Sequence, residues 1–533
     1  MKKTLFAFSI FLILLLIPFA LKQAPQQADY ANDVDTLVIV TPHVDSIKSE
    51  FEQAFKDYYF KKYNRSIRID YRNMGGTSDI IRYISDRFES EFRRFYEAKN
   101  LKWNPVVQAA FTRDQAPAAS DEAKNARKMF LDSNIGIGID LFFGGGTFDQ
   151  ARMAQKGYAA DAEVFKRHPE YFSNNIIPPS FAGETFYDKN GLYYGVCLSS
   201  FGICINPDVV IECGLKPSDI TRWDDMARSE FFGKVIVADP SKSGSVTKCF
   251  ESILQEKMFQ AAKKYGKDKG PAIGFEEGFN LIRRIVANSR AVTDSAGKVP
   301  REIASGNGAI GMAIDFYALA EQQFTAAMSP EGREKILYIT PKGGSFVSAD
   351  PVQLLRGAPN RQQACDFIDF CLSEDGQKLW NHRPGAPGGP RKYALLRPPI
   401  RRDVHEKADK ANLSNGSYNP YVSSENVFYN GRWTGPYFNL IRILIRTTLL
   451  DVIEELQQAH LAIINAGGYE RVPQAAAAFD RMIVPYSEAK KASKALSVYP
   501  GHTALDVAAV RREWSAQAIR NYREAAELAR KGL

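Results

Sequence analysis

Glycine, serine and threonine gather at four points where a β-branched run gives way to a helical pattern: Thr41-Pro42-His43, Gly75-Gly76-Thr77-Ser78, Gly144-Gly145-Gly146-Thr147, and Ser241 to Thr247. The free amides and positive dipole end of a helix start favour anionic oxygens. Glycine lets the backbone approach a ligand, and Ser and Thr hydroxyls add adaptable donors and acceptors. Any α/β protein caps helices this way, so one such junction is structural; four of them describe a ligand cleft, because open α/β sheets bind ligands beyond the carboxyl ends of their strands. None is a nucleotide loop. GxxxxGK[ST] does not occur, and Gly136-Ile137-Gly138 lacks the third glycine of a dinucleotide fingerprint. His43 stands at a strand end in this expected cleft, as a ligand contact, a metal ligand, a general base or a plain polar residue. His168, His382, His405, His460 and His502 lie in loop-like or helix-like surroundings. HExxH and GxSxG are missing, so no enzyme, catalytic residue, cofactor or metal is expected. Six cysteines without a CxxC exclude a disulfide scaffold or zinc site; one bridge among Cys204, Cys213 and Cys249 and six buried thiols are both compatible with the spacing.

The elements needed to position these groups alternate. Thr36–Thr41 reads as a buried strand, followed by a helix with Ile47, Phe51, Phe55 and Tyr58 on one face. Ser66–Tyr71 is a second strand, and a helix through Ile80, Ile84 and Phe88 opens at Gly75–Ser78. Residues 89–131 are charged and helical and read as an insertion. Ile135–Phe143 is a third strand. Tyr193–Asn206 is an extended stretch long enough to pass between domains. Strands at Lys234–Ala238 and Ala309–Ile314 lead into a helix carrying Phe250, Ile253 and Leu254 and into Asp315-Phe316-Tyr317. A strand around Phe346–Gln353 precedes a helix at Asn360–Leu372. Arg383–Arg402, rich in Gly, Pro and Arg, reads as a linker or surface strap. Three helices are expected at about 435–466, 473–495 and 503–531, and their packing on the first lobe is one open arrangement.

Composition sets the outer limits. The 533 residues suffice for two or three domains. With 45% apolar, 12% aromatic and 24% charged residues the bulk of the chain is folded rather than disordered, and a mean hydropathy of -0.29 excludes a polytopic membrane protein. A net charge of +8 suits anionic small ligands or an anionic membrane surface, and is too dilute for nucleic acid. Lys2 and Lys3 followed by the apolar run Leu5–Leu21 form a bacterial export signal. No good cleavage triplet follows, and the run would span about 25 Å as a helix, so cleavage and retention as an anchor both stay open. Lys22 to Asp35 reads as a tether.

The order of these pieces resembles the type II periplasmic solute-binding proteins of ABC importers, in the iron(III)/phosphonate/sugar-phosphate-like branch. The resemblance rests on Leu37–Phe55, on Ile139-Asp140-Leu141-Phe142-Phe143-Gly144, on the crossing stretch Tyr194-Gly195 to Asn206-Pro207, and on Trp223-Asp224-Asp225 with Phe232-Gly233-Lys234-Val235. Gly306-x-Gly308-Ala309-Ile310-Gly311 to Tyr317 and the helix from Ala364 to Trp380 complete it. It implies an α/β, two-lobed periplasmic binding protein type II fold with a C-terminal helical extension. Residues 1–33 would be signal peptide or membrane anchor plus tether, 34–200 and 341–400 lobe I, 201–340 lobe II, and 401–533 the extension. It further implies capture of a small, anionic solute of sugar phosphate or phosphonate type between the lobes. The solute would be delivered to an inner-membrane permease by an exported monomer in the periplasm or cell envelope that binds no nucleic acid. The ligand-binding residues it implies are Thr41, His43, Thr77, Gly145, Thr147, Ser199, Ser200, Ser243, Gly244, Ser245, Asp315 and Tyr317. Iron-binding relatives hold Fe³⁺ with two adjacent tyrosinates; here Phe316 precedes Tyr317, which weakens ferric binding as the alternative. A membrane-anchored ligand sensor on the same fold is the other.

Overall fold

A computed structural model of the protein describes residues 34–114, 119–414, 419–422, 429–498 and 502–533. The expected export signal, with the apolar run Leu5–Leu21, lies outside them. Among the described residues no helix is long and apolar enough to cross a membrane.

Two five-stranded sheets form the body. The first begins with β1 (Asp35–Val40), helix α1 (Asp45–Tyr63), β2 (Ile67–Arg72) and helix α2 (Thr77–Glu97). Leu37, Ile39 and Val40 are buried, and β1 pairs in parallel with β2 in register Asp35 to Ile67. Of the stretch 89–131 read as an insertion, residues 89–97 continue α2, and two short helices, α3 (Pro105–Ala110) and α4 (Asp121–Asp132), follow. They exist because aromatics at helical spacing on α2, Phe88 and Phe92, pack with Phe111 and Phe130 into a second core.

The third strand is shorter than its apolar run. Only β3 (Leu141–Phe143) pairs, because Gly138 has a φ of +75° and turns the chain out of the extended region. The preceding Asp140 instead ties the layer together: its carboxylate accepts from the Val38 and Asn360 amides at 2.8 and 2.7 Å. Helix α5 (Thr147–Lys156) follows β3.

The long extended stretch divides into β4 (Tyr194–Ser199) and β5 (Phe201–Ile205), one in each sheet, with Ser200 alone between them. The second sheet continues with β6 (Val235–Ala238), helices α6 (Gly244–Tyr265) and α7 (Gly270–Ala287), β7 (Ser289–Thr293), β8 (Ile310–Ile314), helix α8 (Asp315–Met328) and β9 (Leu337–Ile339). The chain then returns to the first sheet as β10 (Ser348–Leu354), followed by α9 (Arg361–Leu372) and α10 (Glu374–Asn381). The sheet orders are β2-β1-β3-β10-β4 and β9-β5-β8-β6-β7. Two passages, at Ser200 and between β9 and β10, therefore join them.

One expectation needs correction. Arg383–Arg402 is irregular, but its end is no surface strap: Leu395, Leu396, Arg397 and Ile400 are buried, and Arg397 is 1% exposed. The C-terminal helices, whose packing the sequence left open, pack on the second sheet's helices and also touch the first lobe, where Phe438 meets Phe148 of α5. They are α11 (Phe438–Ile445), α12 (Ile453–Asn465), α13 (Pro473–Asp480), α14 (Ala489–Ala495) and α15 (Ala504–Arg530). A π-helical turn at Arg446–Leu450 interrupts the first of the expected three helices, and Pro485 precedes the short turn that separates α13 from α14. The interface is apolar with polar pins: half-buried Arg284 to Asp480 at 2.5 Å, and buried Arg283 Nε to Tyr522 at 3.3 Å and His460 Nε2 against Asn288 at 3.0 Å. All six cysteines are free, so the possible bridge among Cys204, Cys213 and Cys249 does not form; five are buried and behave as small apolar side chains.

Candidate ligand-binding cleft

Helix starts from both sheets meet at one place. In the first sheet, three successive glycines with φ of +97°, +97° and +88° (Gly144, Gly145, Gly146) carry the chain from β3 into α5. No other residue type fits at Gly145, where a Cβ would stand 2.6 Å from the Phe142 ring and 3.0 Å from Thr77 Cγ2. Gln150 holds this loop by donating to the Gly144 and Pro351 carbonyls at 2.8 and 3.0 Å. Thr77 begins α2 directly after Gly76. From the second sheet, Ser243 caps α6, its Oγ accepting from Val246 N at 3.4 Å. The rims touch. A Cβ on Gly76 would be 3.1 Å from the Lys242 carbonyl, and one on Gly244 3.8 Å from the Gly145 carbonyl. Thr77, Gly145, Thr147, Ser243, Gly244 and Ser245 thus lie on two facing rims, at the starts of α2, α5 and α6.

A second group lies where the sheets cross over. Thr41 Oγ1 accepts from the His43 amide at 3.1 Å, and His43 Nε2 sits 3.1 Å from Asp350 Oδ2 on β10. Arg397 reaches into this position from the irregular segment. Its Nη1 donates to Asp350 at 2.6 Å, its Nη2 to Ser199 Oγ at 2.7 Å, and its guanidinium lies 4.5 Å from the Phe316 ring centre. One side chain therefore contacts β4, β10 and the start of α8, bridging the two sheets. Burial by itself would raise the Asp350 pKa, but the charges of Arg397 and the hydrogen bond of His43 hold it well below the usual carboxylate range. Burial keeps His43 below its ordinary value, and so neutral.

Ser200 and Asp315 are committed to each other. Asp315 accepts from Ser200 N at 2.7 Å, Ser200 Oγ at 3.2 Å and Phe316 N at 2.8 Å, while Ser200 Oγ also meets the Tyr338 hydroxyl at 3.1 Å. These bonds splice the passage between β4 and β5 to the start of α8. Burial nevertheless lifts Asp315 to about 6. Tyr317, next along α8, is half-buried, and the charges of Arg397 and Asp350 act on it.

Sequence reasoning missed Arg397 and Asp350. Arg397 lay in a Gly/Pro/Arg-rich stretch that resembles surface linkers, and Asp350 lay inside an apolar strand pattern. An aspartate followed by proline within such a strand was the available clue. Among the described residues no cluster of three or more His, Cys, Asp or Glu side chains could hold a metal ion.

Two α/β sheets joined by two crossings, with helix starts and a buried arginine between them, define a two-lobed binding protein. The sequence profile of the bacterial extracellular solute-binding proteins matches residues 133–409, and the chain belongs to that family. It is 24% identical over 248 residues to iron uptake protein A2 of Synechocystis sp., covering 44% of this chain and 64% of that one. To the phosphoglycerate transport regulatory protein PgtC of Salmonella typhimurium it is 26% identical over 187 residues, covering 34% and 39%. The chain spans less than two thirds of the length of either relative. Among solved structures, the periplasmic binding protein AfuA of Actinobacillus pleuropneumoniae, with fructose-6-phosphate bound, is similar at a TM-score of 0.41 and 19% identity, over 65% of this chain and 81% of that one.

Proposed function

We propose that the protein captures a small anionic solute, of sugar phosphate or phosphonate type, between its two lobes and delivers it to the permease of an ABC importer. The lobes would be residues 34–200 with 341–400, and 201–340, hinged at Ser200 and at the return to β10, acting as an exported monomer in the periplasm or cell envelope. Hinge closure around a ligand is a standard response of two-lobed proteins. The observation that carries the reading is the meeting of three helix starts, α2 and α5 from one rim and α6 from the other. Opposed amides and dipoles of this kind serve negatively charged oxygens.

The relatives' names point two ways, to iron and to phosphoglycerate. Arg397 supports the anion. Its guanidinium is paired with Asp350 at 2.6 Å and lies 4.5 Å from the Phe316 ring, and a planar fork of this kind suits anionic oxygens better than a trivalent cation. A thermal-shift screen of the purified protein tests this with sugar phosphates, phosphonates, sulfate, polyamines and ferric citrate. A phosphorylated sugar at about 100 times its Kd is expected to add about 2.7 kcal/mol of stability. Ferric ion as the one stabilising compound, with the colour of a tyrosinate complex, would reverse the assignment.

A further inference from the structure

We infer that Arg442, carried by the C-terminal extension, is a binding residue for the anionic group of the solute, so that the extension forms a third wall of the cleft. The inference rests on reading the cleft as an anion site, and adds to it a residue that lies on neither lobe.

Arg442 is 7% exposed, and its Nε and Nη2 have no hydrogen-bond partner among the described residues. A buried guanidinium with idle donors is costly unless something accepts from it. Its position says what that is. Phe438, one turn earlier on α11, packs its ring 4.4 Å from Phe148 in the first turn of α5, and the Arg442 guanidinium lies 4.8 Å from the Phe438 ring centre. Nη2 is then 4.0 Å from Asp149 Oδ2, too far for a hydrogen bond. The same Asp149 oxygen is 3.7 Å from where a Cβ on Gly244 would stand, at the start of α6. The idle donors therefore lie beside the place where the starts of α5 and α6 face each other.

Other charges near Asp149 are accounted for. Lys248 is held by Glu184 at 2.8 Å and Glu251 at 3.0 Å, and Arg152 stacks 5.7 Å from the Phe148 ring. Arg442 alone among these presents buried, unengaged donors toward the rims. Its planar fork suits a phosphate or phosphonate group bidentately.

Calorimetric titration of the full chain with inorganic phosphate and with a hexose phosphate tests the inference. Arg442→Gln is expected to weaken both about ten- to hundredfold, the range for a lost hydrogen bond to a charged group. Arg442→Lys keeps the charge without the fork and is expected to fall between; it carries the test should the Gln variant fail to fold, and affinity equal to wild type in it then overturns the inference. The double variant Asp149→Asn/Arg442→Gln separates contact from charge balance. If Arg442 only neutralises Asp149, the double variant regains wild-type affinity and the inference is overturned; continued weak binding supports it. Unchanged affinity in Arg442→Gln likewise overturns it while leaving the anion cleft intact. Wild-type protein that binds neither probe instead removes the anion reading itself.

Discussion

Arg397 is the side chain on which the crossing of the two sheets depends. Replacing it with Met strands the Asp350 carboxylate in the interior, and breaking one half of a buried pair costs about 3–5 kcal/mol. Arg397→Met is therefore expected to lower the unfolding free energy by that amount, seen as a fall in the urea midpoint with the slope unchanged in equilibrium unfolding. Asp315 makes a prediction in pH. Burial lifts its folded-state pKa to about 6 from an ordinary 3.8, so the fold favours the protonated form. The stability this confers is complete below pH 3.8 and is lost as pH rises through about 6. Asp315→Asn does not titrate. Between pH 4 and pH 7 the difference in unfolding free energy should move in the variant's favour by up to about 3 kcal/mol, measured by denaturation at several pH values. A pH-independent penalty, from an amide facing the Phe316 N–H, is expected beneath it.

At the scale of elements, the glycine loop between β3 and α5 sets the form of one rim. Gly145 has a φ of +97° and no room for a Cβ beside Phe142. Gly145→Ala should cost about 1–3 kcal/mol in strain and turn the start of α5 away from α6. The check is a lowered melting temperature together with weaker anion binding; a variant with wild-type values in both would show that the loop's conformation does not shape the rim. The strand-to-helix junctions were legible because β-branched runs and capping residues are local signals. The shortened β3 was not, since Ile137 and Ile139 are buried as a strand's residues would be, while Gly138 decides the backbone. The strap was misread for the converse reason. Its composition is that of a surface segment, yet partners 47 and 198 residues away, Asp350 and Ser199, draw Arg397 inside.

Across the whole molecule, the chain after the second lobe fastens parts that the two sheets leave separate. Tyr429 donates its backbone amide to Ala182 O at 2.6 Å and its hydroxyl to Glu251 at 2.9 Å, while Lys248 of α6 reaches Glu184 at 2.8 Å. Ala182 and Glu184 lie in a short hairpin that precedes β4, and Glu251 lies on α6, so this buried network joins the two sides. Lys248→Met leaves Glu184 and Glu251 facing each other without a cation. It is expected to destabilise the protein by about 3–5 kcal/mol, visible in the denaturant midpoint, and a change under 1 kcal/mol would mean that the network braces nothing.

What the amino-acid sequence determined by itself was the alternation of strands and helices and the placing of glycine, serine and threonine at their junctions. These follow from short-range rules of backbone sterics, side-chain period and capping, which each segment carries alone. Tertiary structure alone decided that Asp315 turns inward to Ser200, that Arg397 is buried against Asp350, and that Arg442 reaches the rims from a helix beyond both lobes. Those outcomes depend on which distant residue offers the complementary charge once the sheets are packed, and no local pattern encodes that distance.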